Sequence, residues 1–318
     1  MIVTVTLNPS LDRTLEVDSL QRGSVLRTSE PTLEAGGKGV NVTRALAANG
    51  IPSIAVLPVG GGEGAELSAL LDSAGVSTRL VPVAGRTRSN ITVAEHDGTI
   101  TKLNEPGSNI SADELAALTA AIASSVSPGD WVLISGSVPP EFTSAHVAAL
   151  AESLAGRDVN LAVDTSGDAL VAFIGAHPRL IKPNRAELAE IAGRSLDSIS
   201  DVIDAAKGVR DRGVEIVLVS LGADGAVLVG PAGVVVGESR VDRPRSTVGA
   251  GDSFLAGFLS KFSVDETAVD DALLEALAWG AAAACLPGSS VPGTADIHHS
   301  NVQLVWQPDL DRPLLANS

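Results

Sequence analysis

The sequence predicts a doubly wound α/β fold: a mostly parallel sheet with helices on both faces, and a small separate β-sheet that forms a lid. Two observations lead to this prediction. Short β-branched runs alternate with amphipathic segments rich in Ala and Leu, and two other regions hold strand-like residues with no helix between them. Parallel neighbours require a crossover connection, which helices supply while they cover both faces of the sheet.

Five short apolar runs are predicted as buried strands, and four longer periodic segments are predicted as helices. The 318 residues are 45% hydrophobic, which allows one large core, so we expect a single domain over residues 1–318. The strands cover 53–58, 130–135, 160–164, 180–182 and 215–220. The helices cover 64–74, 112–126, 144–155 and 199–212.

Two segments, about 14–33 and 86–103, depart from this alternation and are predicted to form the lid. In the second segment, strand-like residues flank Asp97 and Gly98, which favour a hairpin turn. If the two segments pair, they form a small antiparallel sheet beside the main domain. Such a sheet would cover a site at the carboxyl edge of the main sheet.

Composition and charge exclude several classes of function. The formal net charge of −16 argues against nucleic acid or an anionic membrane as a partner, because neutralising phosphates requires a basic face. No apolar run of about 18 residues occurs, and residues 2–7 alternate like a strand, so we expect a cytoplasmic protein. The single cysteine, Cys285, excludes an intramolecular disulfide, and its Ala-rich surroundings predict a buried side chain.

The strongest motif is a glycine-containing loop at 247–253, Thr-Val-Gly-Ala-Gly-Asp-Ser, which runs into an apolar helix. Amides at a helix N-terminus stabilise negative charge, and the loop residues Gly249, Ala250 and Gly251 would form an anion hole for a phosphate. Asp252 beside this hole would accept the proton of an attacking hydroxyl. The alternative is a simple turn in which Asp252 caps the helix.

A second glycine loop, Gly-Gly-Lys-Gly-Val-Asn-Val at 36–42, also precedes an amphipathic helix, which is predicted to end near Asn49 and Gly50. One short motif of this kind is usually only a turn. Two of them in one chain indicate a site for two anionic ligands.

Further segments resemble one family. Residues 6–12 (Thr-Leu-Asn-Pro-Ser-Leu-Asp) and 182–188 (Lys-Pro-Asn-Arg-Ala-Glu-Leu), with the two glycine loops, resemble the PfkB (ribokinase-like) carbohydrate kinases over nearly the whole chain. Residues 85–90, 135–139 and 219–226 are most similar to the 1-phosphofructokinase branch. The resemblance implies a ribokinase-like fold, with ATP as the phosphate donor and Mg²⁺ as the cofactor.

The resemblance also implies a sugar-phosphate pocket. Asp12 and the second glycine loop would hold sugar hydroxyls, and Arg88 would bind the phosphate that the substrate already carries, since a guanidinium contacts two oxygens at once. Arg27 would serve the same task, in the partner subunit's site if the chain is a dimer; its alternative is a solvated surface residue. The implied substrate-binding residues are Asp12, Gly37, Lys38, Asn41, Arg88, Arg27 and Ser137.

An ATP site with its metal follows from the same resemblance. Asn184 and Glu187 would organise Mg²⁺ through water, because Mg²⁺ keeps several waters while it bridges phosphate oxygens, and Asp164 would join these waters. The alternative for Asn184 is an ordinary helix N-cap. Residues 286–290 depart from the family pattern near adenine, so adenine contacts stay unassigned. The implied nucleotide-binding residues are Lys182, Asn184, Ser220, Gly222, Gly225, Thr247, Gly249 and Gly251.

The predicted reaction is the ATP-dependent phosphorylation of D-fructose 1-phosphate to fructose 1,6-bisphosphate, by direct in-line transfer with Asp252 as the general base. Fructose 6-phosphate and tagatose 6-phosphate are the alternative substrates, since the same arginines would hold a phosphate at either end of a ketose. The alternative of another class is a sugar-phosphate sensor without turnover, which gives no reason for an acid in the 249–252 loop.

A homodimer through the lid is also expected. Strands without a covering helix leave open edges and one unburied apolar face, and both favour pairing with a second lid. The apolar residues predicted at this contact are Val25, Leu26, Leu33, Ile91, Val93 and Ile100.

Overall fold

The computed structural model describes residues 1–28, 30–241 and 243–315 of the chain. Its strands are β1 (Ile2–Val5), β2 (Ser10–Val17), β3 (Thr32–Gly36), β4 (Ser53–Val59), β5 (Thr78–Pro82), β6 (Arg88–Glu95), β7 (Ile100–Asn104), β8 (Trp131–Ser135), β9 (Asn160–Asp164), β10 (Leu180–Ile181), β11 (Ile216–Ser220), β12 (Ala226–Gly230), β13 (Gly233–Ser239) and β14 (Val302–Leu304). Its α-helices are α1 (Lys38–Ala48), α2 (Gly61–Ser73), α3 (Ala112–Ser124), α4 (Ser144–Leu154), α5 (Gly167–Ile174), α6 (Arg185–Ala192), α7 (Ile199–Arg210), α8 (Ala250–Phe262) and α9 (Val269–Ala284).

Ten of these strands form one large sheet, in the order β14-β13-β12-β11-β10-β9-β8-β1-β4-β5. Neighbours from β11 through to β5 are parallel. At the other edge, β12, β13 and β14 continue the sheet in antiparallel fashion. The predicted mostly parallel sheet is therefore confirmed.

Both faces of the large sheet are buried. In β8, Val132 and Ile134 pack into a core with residues of α3, α4, α5 and α7, whereas Trp131 and Leu133 pack on the opposite face with α1, α8 and α9. Successive side chains of a strand point to opposite faces, so a strand buried on both faces is a continuous apolar run. This burial explains the sequence pattern and confirms the doubly wound fold.

The nine predicted core elements are present, and their ends lie within three residues of the predicted ones. The strands β5, β12, β13 and β14, at the two edges of the sheet, and the helices α5 and α6 were not predicted. Each of these two helices has eight residues, which is too short for a clear helical period.

The predicted lid is a separate four-stranded sheet in the order β3-β2-β6-β7. The prediction that this sheet is antiparallel is wrong for its central pair, because β2 and β6 run parallel over their whole length. Only the outer pairs are antiparallel. In the chain, α1, β4, α2 and β5 lie between β3 and β6, and a long crossover of this kind permits parallel pairing.

The lid also differs from its predicted bounds. Its first strand begins at Ser10 rather than near residue 14, and the described residues between 18 and 31 contain no strand. Val93, predicted at the dimer contact, is only 7% exposed. Because it is covered by its own chain, Val93 is removed from the predicted contact.

Helix α9 has 16 residues and ends just before Cys285, which was predicted to be buried. Cys285 is exposed rather than buried, because it lies just beyond the end of this helix and past its buried residues. Across the described ranges, no helix is both long enough and apolar enough to cross a bilayer.

Candidate active site

Polar residues gather where the parallel strands of the large sheet end. Ser135 ends β8, Asp164 ends β9, Lys182 follows β10 and Ser220 ends β11. Because these strands are adjacent and parallel, their carboxyl ends meet at one edge, which is where α/β sheets bind ligands.

The predicted catalytic loop forms the start of α8. Gly249 is its N-cap, with a φ of +76°, a left-handed conformation that favours glycine. Asp252 lies in the first turn and is only 7% exposed. A β-carbon placed on Gly251 would lie 3.7 Å from Nζ of Lys182. An ammonium group thus lies beside the amides of this helix N-terminus, where an anion is doubly stabilised.

The second glycine loop forms the start of α1 and meets the first. Gly37 is its N-cap, and a β-carbon there would come within 2.7 Å of Cγ2 of Thr6. One turn later, the buried Asn41 donates from Nδ2 to Oδ2 of Asp252 at 2.8 Å. The two predicted anion-binding helices are therefore joined at the proposed base.

A buried carboxylate, Asp164, holds the two lysines of the site. Its Oδ1 lies 3.1 Å from Nζ of Lys38 and 3.3 Å from Nζ of Lys182. Burial by itself favours the neutral acid, but the charges of Lys182 and Lys38 outweigh it and hold the pKa of Asp164 below its ordinary value. The site thus carries two ammonium groups at fixed positions, with one anion between them.

Asp252 has the opposite shift. Burial, followed by the nearby negative charge of Asp164, raises the pKa of Asp252 to about 6, although the Asn41 hydrogen bond, Lys38 and Lys182 each favour the ionised form. A base with a pKa near 6 is ionised at neutral pH and still accepts a proton readily. This is the protonation behaviour that the predicted role requires.

Asp12 lies on β2, in the lid. Its Oδ1 accepts hydrogen bonds from Oγ of Ser10 at 2.7 Å and from Nδ2 of Asn90 at 2.9 Å. A β-carbon on Gly36 would lie 2.5 Å from this carboxylate, so glycine is required there for the carboxylate to fit. Among the described residues Oδ2 accepts no hydrogen bond, which leaves it available to a hydroxyl.

Arg88, predicted to bind the phosphate of the sugar, and Ser137, predicted only as a substrate-binding residue, lie together in the structure. Nη2 of Arg88 lies 3.3 Å from Oγ of Ser137, and its Nη1 donates to the carbonyl oxygen of Glu105 at 3.1 Å. Nε of Arg88 donates to the carbonyl oxygen of Asn8 at 3.1 Å. Since Ser137 follows β8 and Arg88 begins β6, this cluster joins the lid to the main sheet.

Asn184 and Glu187 form a helix capping box at the start of α6. The amide of Glu187 donates to Oδ1 of Asn184 at 2.9 Å, and the amide of Asn184 donates to Oε2 of Glu187 at 2.8 Å. The alternative of an N-cap is therefore what the geometry shows, and a role toward Mg²⁺ stays a prediction. Within the described ranges, no group of three His, Cys, Asp or Glu residues is placed to hold a metal. An ion here would take most of its ligands from water and phosphate.

One of the remaining predicted nucleotide residues, Ser220, lies beside this capping box. Ser220 is bridged to Asn184 in parallel register, and Gly222 begins the turn that follows. At Gly225, a β-carbon would lie 2.2 Å from the carbonyl oxygen of Gly237, in β13, so glycine is required there for the packing of that strand. A role of Gly225 toward ATP stays a prediction. Thr247 is exposed in the loop before α8.

Arg27 is not brought to the site. It is exposed in the connection between β2 and β3, and among the described residues it forms no hydrogen bond or ion pair with the other predicted site residues. Conversely, the sequence analysis missed Glu34, whose Oε1 accepts from Oγ of Ser289 at 2.8 Å, and Arg44, which lies beside Asn41. The available signal was their closeness in sequence to the second glycine loop: Glu34 lies two residues before residue 36, and Arg44 lies three residues after residue 41.

The chain matches the family described as pfkB family carbohydrate kinase over residues 5–294. It is 37% identical over 302 residues to a 1-phosphofructokinase of Haloferax volcanii, which covers 93% of this chain and 95% of the relative. It is 34% identical over 262 residues to the 1-phosphofructokinase of Escherichia coli, covering 81% of this chain and 83% of the relative.

The chain is also similar to solved structures of a phosphofructokinase. The phosphofructokinase-2 of Escherichia coli in complex with fructose-6-phosphate superposes with a TM-score of 0.86 at 30% identity, covering 93% of this chain and 96% of that one. The tetrameric inhibited form of the same enzyme gives a TM-score of 0.82 at 32% identity, covering 89% and 92%.

Proposed function

This chain belongs to the pfkB family of carbohydrate kinases, and we propose that it transfers the γ-phosphate of ATP to D-fructose 1-phosphate, forming fructose 1,6-bisphosphate in the cytoplasm. One observation carries the chemistry: the buried Asp252, with a pKa of about 6, lies where two glycine-capped helix N-termini meet. The similarity to 1-phosphofructokinases supports the choice of sugar.

In the proposed mechanism, the carboxylate of Asp252 accepts the proton of the 6-hydroxyl of the sugar. The hydroxyl oxygen forms a bond to the γ-phosphorus, and the bond from that phosphorus to the β,γ-bridging oxygen breaks, releasing ADP. Charge that develops on the transferred group would be stabilised by the first-turn amides of α8 and by Lys182. Asp164 keeps both lysines in place throughout.

The other substrate groups would be held by the lid and the main sheet. The free Oδ2 of Asp12 suits a sugar hydroxyl, since a carboxylate is an acceptor only. Arg88 and Ser137, which lie in contact, suit the phosphate that the sugar already carries. Because these groups come from both sheets, sugar binding would also fix the lid over the site.

Mg²⁺, when bound, would neutralise phosphate charge during transfer. The residues present fit a water-mediated role: Glu187 uses Oε2 for the helix cap, and its Oε1 lies 3.7 Å from Nζ of Lys38, turned toward the charged cluster. Glu187 would then hold metal-bound waters rather than the ion.

Comparing three sugars tests the proposed substrate. We expect kcat/KM for fructose 1-phosphate to exceed that for fructose 6-phosphate and tagatose 6-phosphate by at least about tenfold, because a misplaced phosphate would leave the Arg88 cluster unpaired. A higher value for either alternative sugar would change the assignment; the structural similarity to phosphofructokinase-2 makes fructose 6-phosphate the first alternative. Binding of all three without turnover would indicate a sensor.

Replacing Glu187 with glutamine is expected to raise the Mg²⁺ concentration required for half-maximal activity by about tenfold, because the charge that orders metal-bound waters is lost. Glutamine can still complete the capping box, so α6 should persist. The matched control is Glu190→Gln, the same change on an exposed residue of α6. Magnesium titrations of the parent, the variant and the control decide the result, and three superimposable curves would leave Glu187 as a helix cap only.

We also propose a homodimer through the lid, in which Arg27 would reach the partner subunit's site. Its support is the set of apolar side chains that the lid leaves in solvent: Val25 is 85% exposed, Ile100 62% and Leu103 58%. One structure of a relative is described as tetrameric, which shows that chains of this fold associate.

Light scattering at micromolar concentration tests the dimer. The parent is expected at twice the mass of one chain, and Ile100→Asp at the mass of one chain, because a charge at the centre of an apolar contact has no partner. Val264→Asp is the matched control, since Val264 is 84% exposed and lies outside the lid; it should stay dimeric. A parent protein of single-chain mass with full activity would refute the proposal.

A further inference from the structure

Arg44 lies on α1, one turn beyond Asn41, and is partly buried. Its Nη1 lies 3.3 Å from Oδ1 of Asn41 and 3.4 Å from the carbonyl oxygen of Ser289. Burial lowers the pKa of Arg44, but the carboxylates of Glu34 and Asp12 face it and oppose that shift, so the guanidinium stays charged.

Arg44 donates to the amide oxygen of Asn41, whereas the amide nitrogen of Asn41 donates to Asp252. A side-chain amide has one accepting oxygen and one donating nitrogen, a guanidinium only donates, and an ionised carboxylate only accepts. With Arg44 on one side and Asp252 on the other, only one orientation of the Asn41 amide satisfies both neighbours. In the reversed orientation, Nδ2 would face a donor and Oδ1 would face a carboxylate.

We propose that Arg44 is a positioning residue for phosphoryl transfer, which fixes the amide of Asn41 so that its nitrogen always faces Asp252. The proposal rests on the proposed role of Asp252 as the base. It assigns Arg44 no contact with either substrate: Arg44 acts on the base through one side chain.

The loop after α9 holds Arg44 in turn. Ser289 accepts from Arg44 at its carbonyl oxygen and donates from Oγ to Glu34, which pairs in register with Asp12 across β3 and β2. Arg44 is thus placed by groups from the lid and from the chain after α9. An arginine tied at several points has little freedom to leave Asn41.

Other charges that act on Asp252 do not touch Arg44. Asp164, Lys38 and Lys182 are held to one another. Helix α9 also packs against α8, but its Glu275 accepts from Nε1 of Trp279 and pairs with His299. A change at Arg44 should therefore reach Asp252 through Asn41, with the rest of the charge cluster unchanged.

The pH dependence of kcat/KM tests the proposal. In the parent, kcat/KM should rise with pH as Asp252 ionises. Arg44→Met is expected to move this acid limb to higher pH by about 0.5 to 1 unit, because an unfixed amide stabilises the carboxylate less. It should also lower kcat on the alkaline plateau by about 3- to 10-fold. The matched control is Asn49→Ala, which removes the side-chain hydrogen bonds that Asn49, just after α1, donates to Ala45 and Pro292 and should leave the limb in place.

A double-mutant cycle separates positioning from general loosening. Asn41→Leu should shift the limb in the same direction, and Arg44→Met in that background should add no further shift, since Arg44 has nothing left to orient. Additive shifts would overturn the proposal, and so would a parent-like profile for Arg44→Met. If the methionine variant does not fold, Arg44→Gln replaces it: its amide both donates and accepts, so a smaller shift is expected and a parent-like profile overturns the proposal.

The failure of the proposed function gives a different result. If Asp252 is not the base, Asp252→Asn keeps near-parent activity whatever Arg44 variants do. If only the role of Arg44 is wrong, Asp252→Asn is inactive while Arg44→Met has the pH profile of the parent.

Discussion

Asp252→Asn is expected to lower kcat by at least about a hundredfold, because a general base contributes roughly 10²- to 10⁴-fold to a rate. Asparagine has nearly the same shape and can still accept the hydrogen bond from Asn41, so substrate binding should be nearly unchanged. Steady-state kinetics with both substrates, together with nucleotide binding measured separately, gives the two quantities. A purified variant that phosphorylates the sugar at near the parent rate would show that Asp252 is not the base.

The same substitution is expected to stabilise the fold. The pKa of Asp252 is raised from 3.8 to about 6 in the folded chain, so the folded state binds this proton more tightly than the unfolded state does. The ionised carboxylate therefore costs folding free energy, on the order of 3 kcal/mol, at pH values above about 6, and this cost disappears as pH falls toward about 4. Asparagine resembles the neutral acid and avoids the cost.

Thermal unfolding at two pH values measures this effect. At about pH 7.5 the Tm of Asp252→Asn should exceed that of the parent, and near about pH 4 the two should converge. A variant that is inactive and more stable fits a buried charge kept for catalysis. A lower Tm at both pH values would instead mean that the carboxylate stabilises the start of α8.

Arg88→Ala is expected to raise KM for the sugar phosphate by about 10- to 100-fold and to change KM for ATP little, because a charge-assisted contact to one substrate is lost. Lysine should rescue the variant poorly, since an ammonium cannot bind two phosphate oxygens in the planar manner of a guanidinium. Initial rates with each substrate varied in turn provide both KM values.

Arg88 also holds the carbonyl oxygens of Asn8 and Glu105, so its loss could disturb the lid. Arg86→Ala is the matched control: Arg86 is an exposed arginine two residues earlier, paired with Glu63. It should leave both KM values unchanged. Equal losses toward sugar and ATP in Arg88→Ala would indicate a lid or folding defect in place of a lost phosphate contact.

Much of the core could be predicted because its strands are buried on both faces. Such strands are continuous apolar runs, and the helices between them keep a clear period, so local sequence and final structure agree. The direction of the central lid pair, β2 with β6, was predicted wrongly because it does not depend on local sequence. Pairing of β2 with β6 depends on a crossover of several elements, and no local pattern carries that information.

The candidate site divides in the same way. Asp252 was predicted from the glycine loop before it, Asn41 and Lys38 were implied by the family resemblance, and the structure brings them together with Asp164 and Lys182. Glu34 and Arg44 were missed because each is defined by a partner far along the chain, Ser289 for both. The glycine at 225 shows a further difficulty, since a glycine that serves the packing of a strand cannot be distinguished in sequence from one that serves a ligand.

The order of strands in the large sheet has a consequence for synthesis. β1 lies between β4 and β8, and β1 ends at Val5 whereas β8 begins at Trp131. At roughly 5–20 residues per second, a ribosome needs about 6 to 25 seconds to make the intervening chain. Throughout that interval one edge of an apolar strand has no neighbour, and such an edge readily pairs with other chains. This edge is therefore open to aggregation well before the glycine loop at 247–253 has been translated.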